Sequence, residues 1–213
     1  MIEVQHHGFH FEKWVRDSFF GRYEGSYGQE WDVPAQENRG VLVPREFRRL
    51  NVSVKTCRFR SPIGLGDAMR QRNIRVDFLM IVGFWEQASA EEKRIVDIGV
   101  AKFAARQWQD LWTPLRLESL ADIDGKIKNL ELPYAEARRL AREWKRLPEA
   151  RPSGIVINPK IDSKRQRRMQ CSLPFAVFWE RVGREPEAVA APRLFGQPFL
   201  NPMRSSARRF RSA

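Results

Sequence analysis

No run in the sequence reaches the roughly 20 apolar residues that a helix needs to cross a bilayer, so no membrane span is expected. The opening MIEVQHHGFHFEKW has neither the basic start nor the apolar stretch of a secretory signal. Cysteine is scarce: Cys57 and Cys171 follow no metal-ligand spacing and are too few for a disulfide framework. Together these absences predict a cytoplasmic protein. Histidine is limited to His6, His7 and His10, and no acidic or histidine cluster completes a metal site around them. Their expected role is at the surface or against a phosphate. There is no internal repeat.

Acidic residues are scarce in one part of the chain. Residues 137–172 carry 11 Lys and Arg against 3 Asp and Glu, and residues 181–213 carry 7 against 2. With a formal net charge of +12, the remainder is close to neutral. Such segregation points to a polyanion-facing surface, the plainer alternative being a solubilising surface with a loose tail. The 213 residues are 42% hydrophobic and include seven tryptophans, enough to bury a substantial core.

The pattern along the chain predicts an α/β (α+β) fold, a central mixed β-sheet flanked by helices, with a basic β-hairpin in the C-terminal half. FHFEKWVRDSFF has the apolar spacing of a helix, and the glycines of GRYEGSYGQ end it. EWDVPAQEN reads as a short strand entering a loop, and 51–59 as a strand. SPIGLGDAMRQRN reads as a loop running into a short helix. RVDFLMIVGFW is apolar almost throughout, as in a strand covered on both faces. RIVDIGVAKFAARQWQDLW passes from strand to helix. PYAEARRLAREWKRL is an amphipathic helix with Ala137, Leu140, Ala141, Trp144 and Leu147 on its apolar stripe. Strands near 154–158 and 168–173 flank a basic turn. The expected organisation is one domain over 1–182, with a core at about 8–112 and a basic helix and hairpin at about 133–173. A Pro- and Arg-rich arm over 183–213 follows, in which LFGQPFL could pack.

Within LNVSVKTCRF the strand period of two puts Val52, Val54 and Thr56 on one face and Ser53, Lys55 and Cys57 on the other. A lysine among apolar neighbours is costly unless an anion accompanies it; on an edge strand it could simply reach water. Asp32, in EWDVP, is a carboxylate that a hairpin could bring to it. A carboxylate holding Mg²⁺ and a lysine beside it suit phosphodiester hydrolysis.

WDVP at 31–34 and VSVKT at 52–56 resemble the motif of the PD-(D/E)xK nuclease superfamily, and of type II restriction endonucleases in particular. GLGDAMRQ and VDFLMIVGFW are similar to the helix and next core strand of such enzymes. The resemblance spans most of 8–86 and implies Asp32 and Lys55 as catalytic residues, Mg²⁺ as cofactor, the Val54 carbonyl as a further metal ligand, double-stranded DNA as substrate, a homodimer, and a cognate methyltransferase acting on the same site. Ser53 stands where the family has its second acid. Two residues could replace that acid. Glu12, on the first helix, resembles the helix-borne glutamate of Holliday-junction resolvases, and Asp67 stands where another subgroup takes its acid from downstream. Asp67 could equally be a helix N-cap, and Glu12 an ordinary exposed glutamate.

The turn NPKIDSKRQRRMQ sets Lys160, Lys164, Arg165, Arg167 and Arg168 among Gln166 and Gln170. Guanidinium forks and amides can read base edges while the charge anchors to phosphates. Arg70, Gln71 and Arg72 form a second such cluster. Glu30 could support Asp32 from its own face, with Glu37 also nearby in sequence. Asp77 reads as a structural residue in an ion pair or hydrogen bond, and Cys57 lacks a histidine to activate it. The leading expectation is a Mg²⁺-dependent, sequence-specific DNA endonuclease. A junction resolvase or repair nuclease is the alternative, and a non-catalytic nucleic-acid-binding module the competitor from another class.

Overall fold

The computed structural model describes residues 4–25, 30–89, 92–162 and 166–200, with backbone alone at 4–8 and 203–204. In chain order its main elements are α1 Val4–Phe19, β1 Asn51–Arg58, β2 Ile63–Asp67, α2 Ala68–Arg72, β3 Phe78–Gln87 and β4 Glu92–Phe103. After these come α3 Ala105–Asp110, α4 Leu117–Lys128, α5 Tyr134–Trp144, β5 Val156–Ile161, β6 Arg167–Leu173 and α6 Phe175–Val182. Short strands β7 Arg193–Leu194, β8 Gln197–Pro198 and β9 Met203–Arg204 complete the set. The result is an open, mixed sheet flanked by helices, the architecture expected in its general form. None of the described helices is long and apolar enough to cross a membrane.

The chain divides into two compact units. The first comprises residues 1–61, 77–102 and 179–213, and the second 62–76 and 103–178.

The first unit holds a four-stranded sheet in the order β1-β3-β4-β9. β1 and β3 run parallel, with Val52 opposite Leu79 and Lys55 opposite Val82. β3 is buried along most of its length because its two-sided apolar run fits an inner position. β1 ends the sheet, so it is an edge strand. α1 packs Phe11, Val15 and Phe19 into a core with Val52, Val54, Leu79 and Ile81. Gly83 is required here, since a Cβ would lie 2.9 Å from the Phe11 ring.

The C-terminal segment belongs to this core. Leu194 and Phe199 are buried in it, Phe199 lies edge-on against Phe11 and Trp14, and Phe195 meets Phe19. Arg184 reaches the buried Asp97 (2.6 Å), which also accepts from the Glu187 backbone N–H (2.8 Å). The residues of 183–213 beyond Leu200, other than the backbone at 203–204, fall outside the described part.

The second unit holds a three-stranded antiparallel sheet in the order β2-β6-β5. The expected loop at SPIGLGD is therefore a strand, bulged between Gly64 and Gly66 where it pairs with β6. α4 and α5 pack beside this sheet through Leu120, Ile123, Ile127, Ala137, Ala141 and Trp144. Leu147, placed on the apolar stripe by its spacing, lies beyond the end of α5 and is exposed. Buried Asp124 of α4 accepts from the Met169 N–H of β6 (3.0 Å) and pairs with Lys128.

Candidate functional site

The segment 31–35 is held at three alternate positions, one against Phe78 of β3 and two on β1. Trp31 packs at a tilt against Phe78 with ring centroids 5.2 Å apart. Val33, fully buried, exchanges backbone hydrogen bonds with Val52 as an isolated antiparallel bridge. The Ala35 N–H donates to Asn51 Oδ1 (2.9 Å). A single bridge thus does what a hairpin was expected to do, and it leaves Asp32 facing β1.

Asp32 Oδ2 accepts from the Val54 N–H (2.6 Å), from Lys55 Nζ (3.1 Å) and, at longer range, from Ser53 Oγ (3.4 Å). Lys55 Nζ also donates to the Val54 carbonyl (2.9 Å). The Lys55 and Asp32 side chains keep only 19% and 27% of their exposure, so the lysine on this edge strand does not simply extend into water. An anion holds it in a sheltered place.

Glu12, one turn from Arg16 on α1, belongs to the same group of charges. Burial is the main cause raising its carboxyl above the ordinary value of 4.5; the negative charge of Asp32 adds to this, and Arg16 and Lys55 oppose it. The Arg16 guanidinium stands 3.5 Å from the Glu12 carboxylate. Asp32, Lys55, Ser53 and Val54 are thus joined by hydrogen bonds, and Glu12 lies within electrostatic range of Asp32 and Lys55, with Arg16 as a further neighbour that the motif does not include. Its i, i+4 spacing from Glu12 was the available signal.

Asp67 has the capping geometry. Its Oδ1 accepts from the Arg70 N–H (2.9 Å) at the start of α2, in the second unit. Among the described residues no three His, Cys, Asp or Glu side chains converge on a point. The oxygens at Lys55 Nζ are those of the Asp32 carboxylate and the Val54 carbonyl, with the Glu12 carboxylate within electrostatic range. All are hard oxygens, which fit Mg²⁺, an ion that keeps several waters and needs only one or two protein carboxylates.

The other residues considered from the sequence do not join this group as ligands or nucleophiles. Glu30, Glu37 and Asp77 are exposed, and His10 lies edge-on to Phe199 at 6.1 Å. The side chains of His6 and His7 lie outside the described residues. Burial pushes the Cys57 thiol up to about 12, against any thiolate role.

The second unit sorts the expected nucleic-acid contacts. In the Arg70–Arg72 cluster, Arg70 is exposed. Gln71, only 6% exposed, donates from Nε2 to the Leu65 carbonyl (3.3 Å), while its main-chain carbonyl accepts from Trp108 Nε1 (2.8 Å). A buried amide offers no edge to a base, so the expectation for Gln71 is corrected. Arg72 turns to Gln109 of α3, and its carbonyl accepts from Gln109 Nε2 (3.2 Å).

In the hairpin, β5 and β6 pair Asn158 with Gln170 and Lys160 with Arg168. Strand alternation sets these four residues on one face. Asn158 and Lys160 are exposed, while Arg168 and Gln170 are half-buried. Arg167, one position away, falls on the opposite face with Met169 and Cys171. Its Nη1 donates to the Asn129 (2.9 Å) and Leu132 (2.7 Å) carbonyls in the connection between α4 and α5. Arg167 is thus held by the fold, a correction that follows from period two. Gln166 is exposed in the turn, and Lys164 and Arg165 lie outside the described residues. Compared with models of known families, with curated proteins and with solved structures, the chain matches none.

Proposed function

We propose that the chain is a Mg²⁺-dependent DNA endonuclease cutting phosphodiester bonds at Asp32, Glu12 and Lys55. The observation that carries this reading is the lysine held against Asp32 on the edge of β1, with the Glu12 carboxylate within electrostatic reach of both. Asp32, Glu12 and the Val54 carbonyl would hold the ion. When bound, it would polarise the scissile phosphate and lower the pKa of a water.

The protein's own groups then divide the work. Lys55 Nζ, which donates to both Asp32 and the Val54 carbonyl, aligns the attacking water and stabilises charge developing on the phosphoryl oxygens. Ser53 sits beside Asp32 as a hydroxyl donor, and Glu12 takes the place of the acid that Ser53 does not supply.

The polar face of Asn158, Lys160, Arg168 and Gln170 supports site-specific cutting, because guanidinium and amide groups can read base edges. A dimer would match the twofold symmetry of a palindromic site, and a methyltransferase of the same specificity would protect the host's DNA. Glu12 on α1 favours a second reading, a nuclease for branched DNA or repair intermediates. Asp67 remains a helix cap in both.

Digestion of a long DNA of known sequence with Mg²⁺, followed by end mapping, separates the readings. Discrete fragments that vanish in Asp32→Asn are the expected result. Cleavage confined to branched DNA favours the second reading. Binding without any cleavage, unchanged by Asp32→Asn, points to a non-catalytic module.

A further inference from the structure

The turn Gly40–Val43, between Asp32 and β1, is held firmly by its neighbours but leaves its tip in water. Val41 is 85% exposed and Leu42 46%, whereas Val43 is buried at 1%. The Val43 N–H closes the turn on the Gly40 carbonyl (3.1 Å). Arg48 secures it from below, donating from Nε to the Val43 carbonyl and from Nη2 to the Val41 carbonyl, both at 2.9 Å. Gly40 lies so close to the end of α1 that a Cβ would stand 1.8 Å from the Phe19 carbonyl oxygen. Fully buried Asn38 donates to the carbonyls of Phe47 (2.7 Å) and Leu50 (2.9 Å), which ties the loop to the residue just before β1.

A loop fixed this way cannot fold its aliphatic tip inward. The tip is also set among exposed cations, with Arg39, Arg45 and Arg49 on the same short stretch and Glu46 the only acid between residues 39 and 49. An ordered apolar tip flanked in sequence by exposed arginines suits a duplex groove, where sugars and the faces of unstacked bases offer apolar surface and phosphates line both walls.

We infer that Val41 and Leu42 form a wedge that enters a nucleic-acid groove and loosens base stacking there, while Arg39, Arg45 and Arg49 contact the flanking phosphates. The inference rests on the nuclease reading in taking a duplex as the partner. The same loop leads from Asp32 into β1, so the wedge would set where the duplex lies relative to Lys55.

Salt dependence distinguishes the two kinds of contact. Each phosphate contact adds about 0.9 to the slope of log affinity against log salt, whereas an apolar contact adds almost nothing. The experiment measures binding of a short random-sequence duplex at several salt concentrations without divalent metal. It also measures permanganate reactivity of thymines, which rises when bases unstack. The double variant Val41→Ser, Leu42→Ser should bind about tenfold more weakly with an unchanged slope, and the thymine reactivity seen with wild-type protein should disappear. Arg45→Gln with Arg49→Gln should lower the slope by about 2.

Both positions are exposed, so unchanged thermal unfolding confirms that the variants fold. Wild-type affinity and reactivity in the serine variant would overturn the wedge while leaving cleavage chemistry intact. Loss of self-association in that variant, seen by sedimentation without a change in duplex binding, would also overturn it. Failure of the wild-type protein to bind any duplex would overturn both the wedge and the nuclease reading.

Discussion

Arg167 and Arg168 are chemically identical neighbours, and the structure requires opposite consequences from removing them. Arg167 donates to the carbonyls of Asn129 and Leu132, in the connection between α4 and α5. Hydrogen bonds from a charged donor contribute about 1.5–3 kcal/mol each when sheltered. One of these two is exposed, and the Arg167 Nε is buried without a partner among the described residues, so the net contribution falls to about 2–3 kcal/mol. For a protein of this size that corresponds to a fall of roughly 5–10 °C in Tm. Arg167→Ala should show it by calorimetry, and base preference in the folded fraction should be unchanged.

Arg168 is on the other face with Lys160 and Gln170. Arg168→Ala should stay within about 0.5 kcal/mol of wild-type stability. Loss of a bidentate base contact would cost about 1–3 kcal/mol of discrimination, read as altered selection from a randomised DNA pool. If Arg168→Ala unfolds the protein while Arg167→Ala is silent, the assignment of faces is wrong.

Three other outcomes follow from the first unit. Because the folded protein raises the Glu12 pKa, its stabilising contribution is complete below the ordinary 4.5 and is lost as pH rises through the higher folded value. Glu12→Gln should therefore be more stable than wild type at pH 8 in chelator and lose that advantage near pH 4. Urea titrations test this, and a less stable variant at pH 8 would refute it. Mg²⁺ at 100 times the wild-type Kd should stabilise wild type by about 2.7 kcal/mol and the variant by less. Asp32→Ala removes the acceptor of both the Val54 N–H and Lys55 Nζ and should cost about 2–4 kcal/mol, while Asp32→Asn keeps an acceptor and should cost about 1. Both should abolish cleavage, and wild-type turnover by Asp32→Asn would remove it from the chemistry. Gly40→Ala forces the backbone away from Phe19 and should lower stability by at least about 2 kcal/mol, measured by denaturant midpoint.

What could be read from the sequence was whatever local pattern decides. The apolar run of β3, the stripe of α5 and the alternation of β1 each carry their own period. The Asp32–Lys55 pair was legible because a lysine beside core valines needs an anion, and Glu12 because it sits on the flank of an amphipathic helix. Long-range pairing was not legible. Ile63–Asp67 is rich in glycine and becomes a strand only because β6, a hundred residues later, supplies its hydrogen bonds. Gln71 and Arg167 looked like solvent-facing members of polar clusters, and their burial depends on α3 and α4. Nor does local pattern show that residues 62–76 leave the first unit and 77 rejoins it, since β1 and β3 are parallel neighbours on either side of that excursion.

Phe199 has an implication for how the protein is made. Its ring closes against Phe11 and Trp14, on the helix that bears Glu12. Translation must pass residue 199 before α1 meets this ring, so the aromatic cover over that helix is completed only after every strand that supplies its core has been made.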